Sequence, residues 1–181
     1  SSFTLCVHAQ KPTRPNVIII LADDMGYSDI GCYGSEIPTP NIDKLAKDGL
    51  RFSHFYNTSR SCPTRASLLT GLYQHQTGIG LMTTEAESNF DFGVDGYRGY
   101  LNKKCVTIAE VLKSAGYHTY MAGKWHLGSD SLSKRPLQRG FEHYFGCYQG
   151  AFSYFDPKGT RCLIDEGDTI RAPKGFYTTD A

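Results

Sequence analysis

The segment from 59 to 71 (SRSCPTRASLLTG) carries the most specific chemical pattern in the chain, with Ser61, Pro63 and Arg65 leading into an apolar run. A proline in the first turn and a closing glycine predict a helix over 63–70. Ser61 then lies just ahead of a helix N-terminus, where free N–H groups and the positive end of the helix dipole favour an anion, and Arg65 adds a guanidinium. The pentapeptide alone equally allows a serine cap followed by an ordinary surface arginine.

A second candidate is the pair Asp23 and Asp24, which directly follows the short β-branched run 16–22 (NVIIILA). That run predicts a buried parallel strand with the acids at its carboxyl end, the edge at which α/β sheets bind ligands. Two neighbouring carboxylates repel each other unless a cation compensates them, and a hard divalent cation suits their oxygens. A helix cap or a solvated turn is the alternative explanation.

A third candidate is the motif GKWHLG, which follows a predicted strand over 117–122. Lys124 and His126 are two residues apart, so both side chains can point into the same cleft. The alternative is a buried Trp125 with flanking polar residues.

The remaining periodicities describe the scaffold. Strands that alternate with helices indicate an α/β domain with a largely parallel sheet. The predicted elements are a helix over 40–48, a strand over 50–56, a long excursion over 74–103, a helix that begins at a capping box of Thr107 and Glu110 and is closed by Gly116, and loops or a hairpin from Phe141 onward.

Composition restricts the classes of function. With 181 residues, 40% of them hydrophobic and 13% aromatic, the chain is long enough for a packed domain. The net charge of +1 and the lack of a basic stripe argue against a nucleic-acid partner. The longest strongly apolar run, 17–22, is far shorter than the about 20 residues that a membrane span needs.

Residues 1–15 are predicted to be the remnant of a signal peptide or a disordered terminus, because Val7-His8-Ala9 follows an apolar stretch as at a signal-peptidase site. We therefore expect an exported protein, periplasmic or extracellular. The six cysteines form no C-x-x-C pair, and one or two disulfides are possible in an exported protein.

Four blocks occur in the order and approximate spacing seen in the sulfatase family: PNVIIILADDMGYSDIGCYG, TPNIDKLAKDGLRF, SCPTRASLLTG and GYHTYMAGKWHLG. They cover most of residues 15–128, and the chain resembles the formylglycine-dependent, arylsulfatase-type members of the alkaline phosphatase superfamily. The resemblance implies an alkaline-phosphatase-like α/β fold with a mostly parallel sheet flanked by helices, incomplete in this chain. Residues 16–181 would be the amino-terminal part of the catalytic domain, with the remainder of the sulfatase chain as its partner.

The resemblance also implies roles for matching residues. Asp23, Asp24 and Ser61 would bind calcium, with magnesium possible, and Arg65 would position residue 61. Lys124 and His126 complete the catalytic set. In the family, the residue matching Ser61 is a cysteine or a serine that a formylglycine-generating enzyme oxidises; Ser61 is either native or a replacement of cysteine, and its neighbour Cys62 is a variable position.

The expected activity is hydrolysis of sulfate esters, with a sulfated carbohydrate as the substrate. The aromatic loops over 97–100 and 144–155 suit stacking on sugar rings, although core packing explains them equally well. Ser153 is a candidate substrate-binding residue. The alternatives are a phosphate or phosphonate ester hydrolase of the same superfamily and a non-catalytic glycan-binding homologue whose residue 61 is not oxidised.

Overall fold

A computed structural model describes residues 14–83 and 91–180. Most of the predicted terminal segment, 1–13, and part of the predicted excursion, 84–90, lie outside the described residues. The chain divides after Phe52 into two compact units, which are described separately.

In the first unit, helix α1 (Pro40–Asp48) confirms the predicted helix and begins with a proline at its first position. Thr39 precedes it: its Oγ1 accepts the N–H of Gly31 at 2.8 Å and donates to Asp43 Oδ1 at 2.9 Å. Asp43 Oδ1 also accepts the N–H of Cys32 at 2.7 Å. These bonds attach the short 3-10 turn Gly31–Tyr33 to the start of α1, and a second such turn, Tyr27–Asp29, precedes it in the chain.

The strand predicted over 16–22 does not form in the structure, which describes the segment without regular secondary structure. Ile18 and Ile20 are 82% and 81% exposed, and the intervening Ile19 is 47% exposed. A parallel strand needs a neighbour to complete its hydrogen-bond ladder and layers to cover both faces. The described part of the chain supplies neither to this segment.

The strand predicted over 50–56 is likewise absent. Leu50 is 88% exposed and Phe55 is 76% exposed, so no core covers the apolar side chains of the alternating pattern. Period-two alternation reports a strand only where one face packs on a core.

In the part of the second unit that the structure describes there are three α-helices: α2 (Ser61–Thr70), α3 (Gln74–Thr77) and α4 (Ile108–Ser114). Helix α2 begins two residues before its prediction and ends at Gly71 in a left-handed conformation. The capping box of α4 is confirmed: Thr107 N–H donates to Glu110 Oε2 at 2.6 Å, and Glu110 N–H donates to Thr107 Oγ1 at 3.1 Å. The short helix α3 was not predicted within the 74–103 excursion.

Four strands in sequential order form the sheet of this unit. Strand β1 (Tyr120–Lys124) pairs in parallel with β2 (His143–Cys147), and the register runs from Tyr120 opposite His143 to Lys124 opposite Cys147. Strands β3 (Leu163–Asp165) and β4 (Asp168–Ile170) continue the sheet as an antiparallel hairpin. The sheet is therefore mixed, and β2 was missed because its sequence is aromatic and glycine-rich.

Strands β1 and β2 approach closely at two glycines. A Cβ atom on Gly146, whose φ is 152°, would lie 2.0 Å from the carbonyl oxygen of Gly123. The same carbonyl accepts the Tyr144 hydroxyl at 3.0 Å, and burial raises the pKa of that phenol. This contact fixes the strand end from which the site residues emerge.

The core of the second unit is a cluster of buried residues from α2, α4, β2, β3 and the segments between them. Trp125 is fully buried within it, and the indole Nε1–H donates to the carbonyls of Gly128 at 2.9 Å and Lys134 at 3.0 Å. No two of the five described cysteines form a disulfide. No helix among the described residues is long and apolar enough to cross a membrane. The buried residues that form this cluster are Cys62, Ala66, Ile79, Leu101, Cys105, Ala109, Trp125, Leu127, Phe141, Tyr144, Tyr148 and Ile164.

Candidate functional site

Ser61 is the first residue of α2 and is partly exposed, while the adjacent Cys62 and Pro63 are buried. The preceding loop is held by Thr58, whose Oγ1 lies 2.9 Å from Thr64 Oγ1. Pro63 has no N–H, and the N–H of Thr64 donates to the carbonyl of Arg60 at 3.0 Å, so the helix starts abruptly at residue 61. The Ser61 side chain therefore stands at the positive end of a ten-residue helix.

Arg65, one turn further along α2, is buried and bonded in two directions. Its Nε donates to Ser61 Oγ at 3.4 Å, and its Nη1 donates to the carbonyl of Lys124 at 2.7 Å. The guanidinium thus connects the start of α2 to the end of β1 and keeps a positive charge beside residue 61. The alternative of a surface charge is excluded by this burial.

His126 lies two residues beyond the end of β1, in the left-handed region with φ of 59°. Its main-chain N–H donates to the carbonyl of Tyr148 at 3.0 Å, and the preceding Trp125 N–H donates to that of Cys147 at 2.9 Å. A non-glycine residue in this conformation is strained unless its surroundings hold it. Trp125 is fully buried, as one interpretation of GKWHLG predicted, and the His126 ring lies beside Ser61. A cleft shared by Lys124 and His126 stays a prediction.

The two ring nitrogens of His126 have different partners. Nε2 lies 2.8 Å from the carbonyl oxygen of Thr83, and Nδ1 lies 3.4 Å from Ser61 Oγ. A carbonyl oxygen only accepts, so Nε2 carries a proton and, in the neutral ring, Nδ1 is the lone-pair nitrogen. The basic nitrogen therefore faces residue 61.

Gly150 forms a wall against the other side of this ring. A Cβ atom at position 150 would lie 2.7 Å from Cε1 and 2.9 Å from Nε2 of His126, closer than real contacts allow. Only the absence of a side chain at Gly150 leaves room for the ring. Nothing in the sequence marks this glycine apart from its neighbours.

Cys62, set aside as a variable position, lies directly behind the site. It is fully buried, and burial raises the pKa of its thiol, with hydrogen bonds from Thr83 and the positive charge of Lys124 acting in the opposite direction. Lys124 is the last residue of β1, and its carbonyl accepts a hydrogen bond from the Arg65 guanidinium at 2.7 Å. Its role beside Ser61 stays a prediction.

Asp23 and Asp24 belong to the first unit, whereas the other candidates belong to the second. Both aspartates are exposed, and Asp24 adopts a left-handed backbone with φ of 55°. Two carboxylates and a hydroxyl are hard oxygen donors of the kind that calcium and magnesium prefer, so the donor set fits such an ion in chemical type. Within residues 14–83 and 91–180 no group of three His, Cys, Asp or Glu side chains converges, so a complete ligand set needs further donors, and the shared site with Ser61 stays a prediction.

Ser153 is exposed, and its Oγ accepts the N–H groups of Phe155 at 3.3 Å and Asp156 at 3.0 Å. These bonds give the hydroxyl a local role in a turn. Its role toward a substrate also stays a prediction.

A cleft of about 300 Å³ opens beside the start of α2. This volume is at the lower end of the range of small-molecule sites. Gln74 is one of the lining residues, and its Oε1 is buried with no hydrogen-bond partner among the described residues. The lining consists of Thr58, Arg60, Pro63, Gln74, Gly80, Leu81 and Met82.

Comparison with known families decides the relationship of this chain to known proteins. The family model described as Sulfatase matches residues 15–169, which include all the candidate residues. The chain belongs to the sulfatase family. The family resemblance that the four sequence blocks indicated is thereby confirmed.

Individual sulfatases show the same relationship. The chain is 42% identical over 182 residues to an arylsulfatase of Klebsiella aerogenes, an alignment that covers 96% of this chain and 38% of that protein. It is 44% identical over 137 residues to human arylsulfatase A, covering 73% of this chain and 25% of the relative. The chain thus spans well under half the length of these sulfatases.

Solved structures confirm the alkaline-phosphatase-like fold. The crystal structure of Ps i-CgsB superposes with a TM-score of 0.72 at 30% identity, covering 93% of this chain and 39% of that one. BT4656 in complex with its substrate D-glucosamine-2-N,6-O-disulfate superposes with a TM-score of 0.69 at 34% identity, covering 93% of this chain and 29% of that one. The mixed sheet and its flanking helices are therefore part of a larger fold in these sulfatases.

Proposed function

We propose that this chain is the amino-terminal part of the catalytic domain of a sulfatase that hydrolyses sulfate esters. The observation that carries the proposal is the position of Ser61 Oγ, 3.4 Å from Arg65 Nε and 3.4 Å from His126 Nδ1. A nucleophile between a fixed cation and a basic nitrogen is the arrangement that transfer of an anionic group requires. Family membership supports the same reaction.

Residue 61 becomes the nucleophile after oxidation to formylglycine by a maturation enzyme, which passes the two hydrogens of the serine alcohol to an external electron acceptor. Hydration of the aldehyde then supplies two hydroxyls on one carbon. Partial exposure of Ser61 at the very start of α2 supports access by such an enzyme.

Asp23, Asp24 and an oxygen of residue 61 would hold a calcium ion, or magnesium in its place, together with ligands outside the described residues. When bound, the ion would lower the cost of ionising the hydroxyl and of placing charge on the sulfate oxygens. The adjacent carboxylates and their hard oxygen donors support this assignment.

Arg65 and Lys124 have two tasks in the proposed reaction. Arg65 holds the oxygen of residue 61 in line, because its guanidinium is fixed at its far end by the Lys124 carbonyl. Both cations also neutralise the sulfate oxygens as the sulfur–oxygen bond to the leaving alcohol breaks. A fixed donor costs no reorganisation during the reaction.

His126 acts after sulfur has moved to one oxygen of residue 61. Its Nδ1 removes the proton from the second hydroxyl, the aldehyde reforms, and the carbon–oxygen bond breaks so that sulfate leaves. The tautomer set by the Thr83 carbonyl supports this role, because it directs the lone pair of Nδ1 toward residue 61. Water then rehydrates the aldehyde.

A sulfated carbohydrate is the proposed substrate class, with a sulfated small molecule as the simpler case. BT4656, which shares the fold at 34% identity, is described with a disulfated glucosamine as its substrate. In this chain Tyr154 and Phe155 are 61% and 72% exposed beside Ser153, which supports stacking on a sugar ring with Ser153 as a polar contact. We further propose that the protein is exported, to the periplasm or the cell exterior.

Competing turnover tests the proposal. Full-length protein purified from its own host is assayed with aryl and sugar sulfates and with the matching phosphate monoesters. We expect hydrolysis of the sulfates that disappears in Ser61→Ala. Faster turnover of phosphate esters would favour the phosphate-specific alternative. Unchanged sulfatase activity in Ser61→Ala would contradict the proposed role of residue 61.

A further inference from the structure

The thiol of Cys62 holds the segment Leu81–Thr83 against the start of α2 by hydrogen bonds. The thiol donates to the carbonyl of Leu81 at 3.5 Å, and its sulfur accepts the N–H of Thr83 at 3.2 Å and the Thr83 hydroxyl at 3.7 Å. The sulfur also lies 3.9 Å from Met82 Sδ. One buried side chain thus contacts three consecutive residues.

The carbonyl oxygen of Thr83, in this segment, determines the tautomer of the His126 ring. The N–H of Thr83 points to Cys62, and the carbonyl of the same residue accepts from His126 Nε2 at 2.8 Å. A displacement of the Thr83 main chain would remove the acceptor that keeps the proton on Nε2. The proton could then move to Nδ1, where it would face residue 61 in place of the lone pair.

We propose that Cys62 is a positioning residue for the reaction at residue 61, because its thiol holds Thr83 in the place that selects the basic tautomer of His126. The chain of contacts runs from Cys62 to Thr83, from Thr83 to His126, and from His126 back to Ser61, the neighbour of Cys62. It closes a ring of four residues around the reacting oxygen. The inference rests on the proposed role of His126 as the base.

A chemically matched control lies elsewhere in the core. Cys105 is 5% exposed, and its thiol donates to the carbonyl of Asn102 at 3.3 Å. It contacts neither Ser61 nor His126. Cys105→Ala therefore measures the general cost of removing a buried thiol.

The experiment compares full-length Cys62→Ala, Cys62→Ser and Cys105→Ala with the wild type, all produced in the native host. The fraction of residue 61 carrying an aldehyde is measured by mass spectrometry, and each rate is normalised to it, because Cys62 is next to the oxidised residue. The tautomer of His126 is read from the nitrogen chemical shifts of selectively labelled histidine, without substrate.

We expect Cys62→Ala to move the His126 ring signals toward the Nδ1-protonated form and to lower kcat by about 10- to 100-fold, the range for a displaced catalytic group, with KM little changed. Cys62→Ser, which keeps an acceptor, should restore most of the rate and the wild-type tautomer. Cys105→Ala should change neither.

Ring signals in Cys62→Ala that match the wild type would overturn the inference, as would an equal loss of kcat in Cys105→Ala. If Cys62→Ala does not fold, the signals of Cys62→Ser decide: an altered tautomer with no loss of kcat overturns the inference. The tautomer measurement needs no turnover. Absence of sulfatase activity in the wild type would therefore refute the proposed function separately.

Discussion

The segment that carries the acidic pair and the segment that carries Ser61 differ in how much of their geometry the described chain provides. No residue from 14 to 52 is buried, and Ile18 and Ile20 flank the approach to Asp23 with more than four-fifths of their surface exposed. Around residue 61, by contrast, Cys62, Arg65 and His126 are all buried and hydrogen-bonded.

The difference concerns preorganisation. Buried polar groups with complete hydrogen bonds hold one geometry, whereas an exposed segment without a ladder is not held by its own contacts. We therefore expect the positions of Ser61, Arg65 and His126 to depend on contacts within the second unit. The positions of Asp23 and Asp24 should depend on the bound ion and on the rest of the fold.

The largest loss of turnover should come from substitution of Asp23 or Asp24. In full-length protein, Asp23→Ala and Asp24→Ala should each weaken calcium binding strongly and reduce turnover by about 1,000-fold, because a catalytic metal supplies several kcal/mol of charge stabilisation. Isothermal titration and steady-state kinetics measure the two effects. Asp48→Ala, another exposed aspartate of the first unit, is the control, and unchanged calcium affinity in both active-site variants would remove the metal assignment.

Arg65→Lys tests the buried hydrogen bonds around residue 61. Lysine keeps the charge but loses the fork that reaches both Ser61 Oγ and the Lys124 carbonyl, so turnover should fall by about 100-fold. Thermal unfolding should also occur at a lower temperature, unlike in the aspartate variants. Wild-type turnover in this variant would show that the two-point contact is dispensable.

Gly150→Ala should have an intermediate effect. The added Cβ would overlap the His126 ring, so the ring must shift, and the loss should be about 10-fold in kcat with a destabilisation of about 1–3 kcal/mol. Kinetics and denaturant titration measure these quantities. Gly96→Ala, where the nearest atom to the added Cβ is the His75 carbonyl oxygen at 3.4 Å, an ordinary contact, is the steric control. An equal loss of kcat in both variants would argue against a steric effect on His126.

The smallest loss of turnover should come from the scaffold. Thr107→Ala removes the N-cap of α4 and the buried bond that its hydroxyl donates to the Arg139 carbonyl at 2.7 Å, so it should cost about 2–4 kcal/mol of stability, with turnover unchanged at temperatures well below unfolding. Chemical denaturation followed by circular dichroism measures the cost. A loss of turnover without a loss of stability would show that α4 communicates with the site.

The sequence predicted the elements whose signals are local. Helices α1 and α4 followed from a proline at the first helical position and from a capping box, and both formed as expected. The prediction of a strand over 16–22 was wrong. An apolar run forms a buried strand only where neighbouring strands and helices cover it, and the described residues provide none here. Strand β1 formed three residues later than the start of its prediction, since strand limits depend on the pairing with β2.

The candidate site followed the same rule. Ser61, Arg65 and His126 were predicted from motif spacing and resemblance, and the structure brings them within hydrogen-bond distance. Thr83, Gly150 and the contacts of Cys62 were not predicted, because they come together only through tertiary packing. Pairing of Thr83 with His126 across 43 positions leaves no local pattern in the sequence.

Mass spectrometry of the peptide that contains residue 61, from protein made in its own host, tests the central claim most directly. Oxidation of Ser61 to formylglycine leaves a residue lighter by two hydrogen atoms, and its aldehyde reacts with a hydrazine probe. We predict this aldehyde in the active protein and its absence in Ser61→Ala. A peptide that carries only unmodified serine would contradict the account and identify the chain as part of a non-catalytic homologue that binds sulfated glycans.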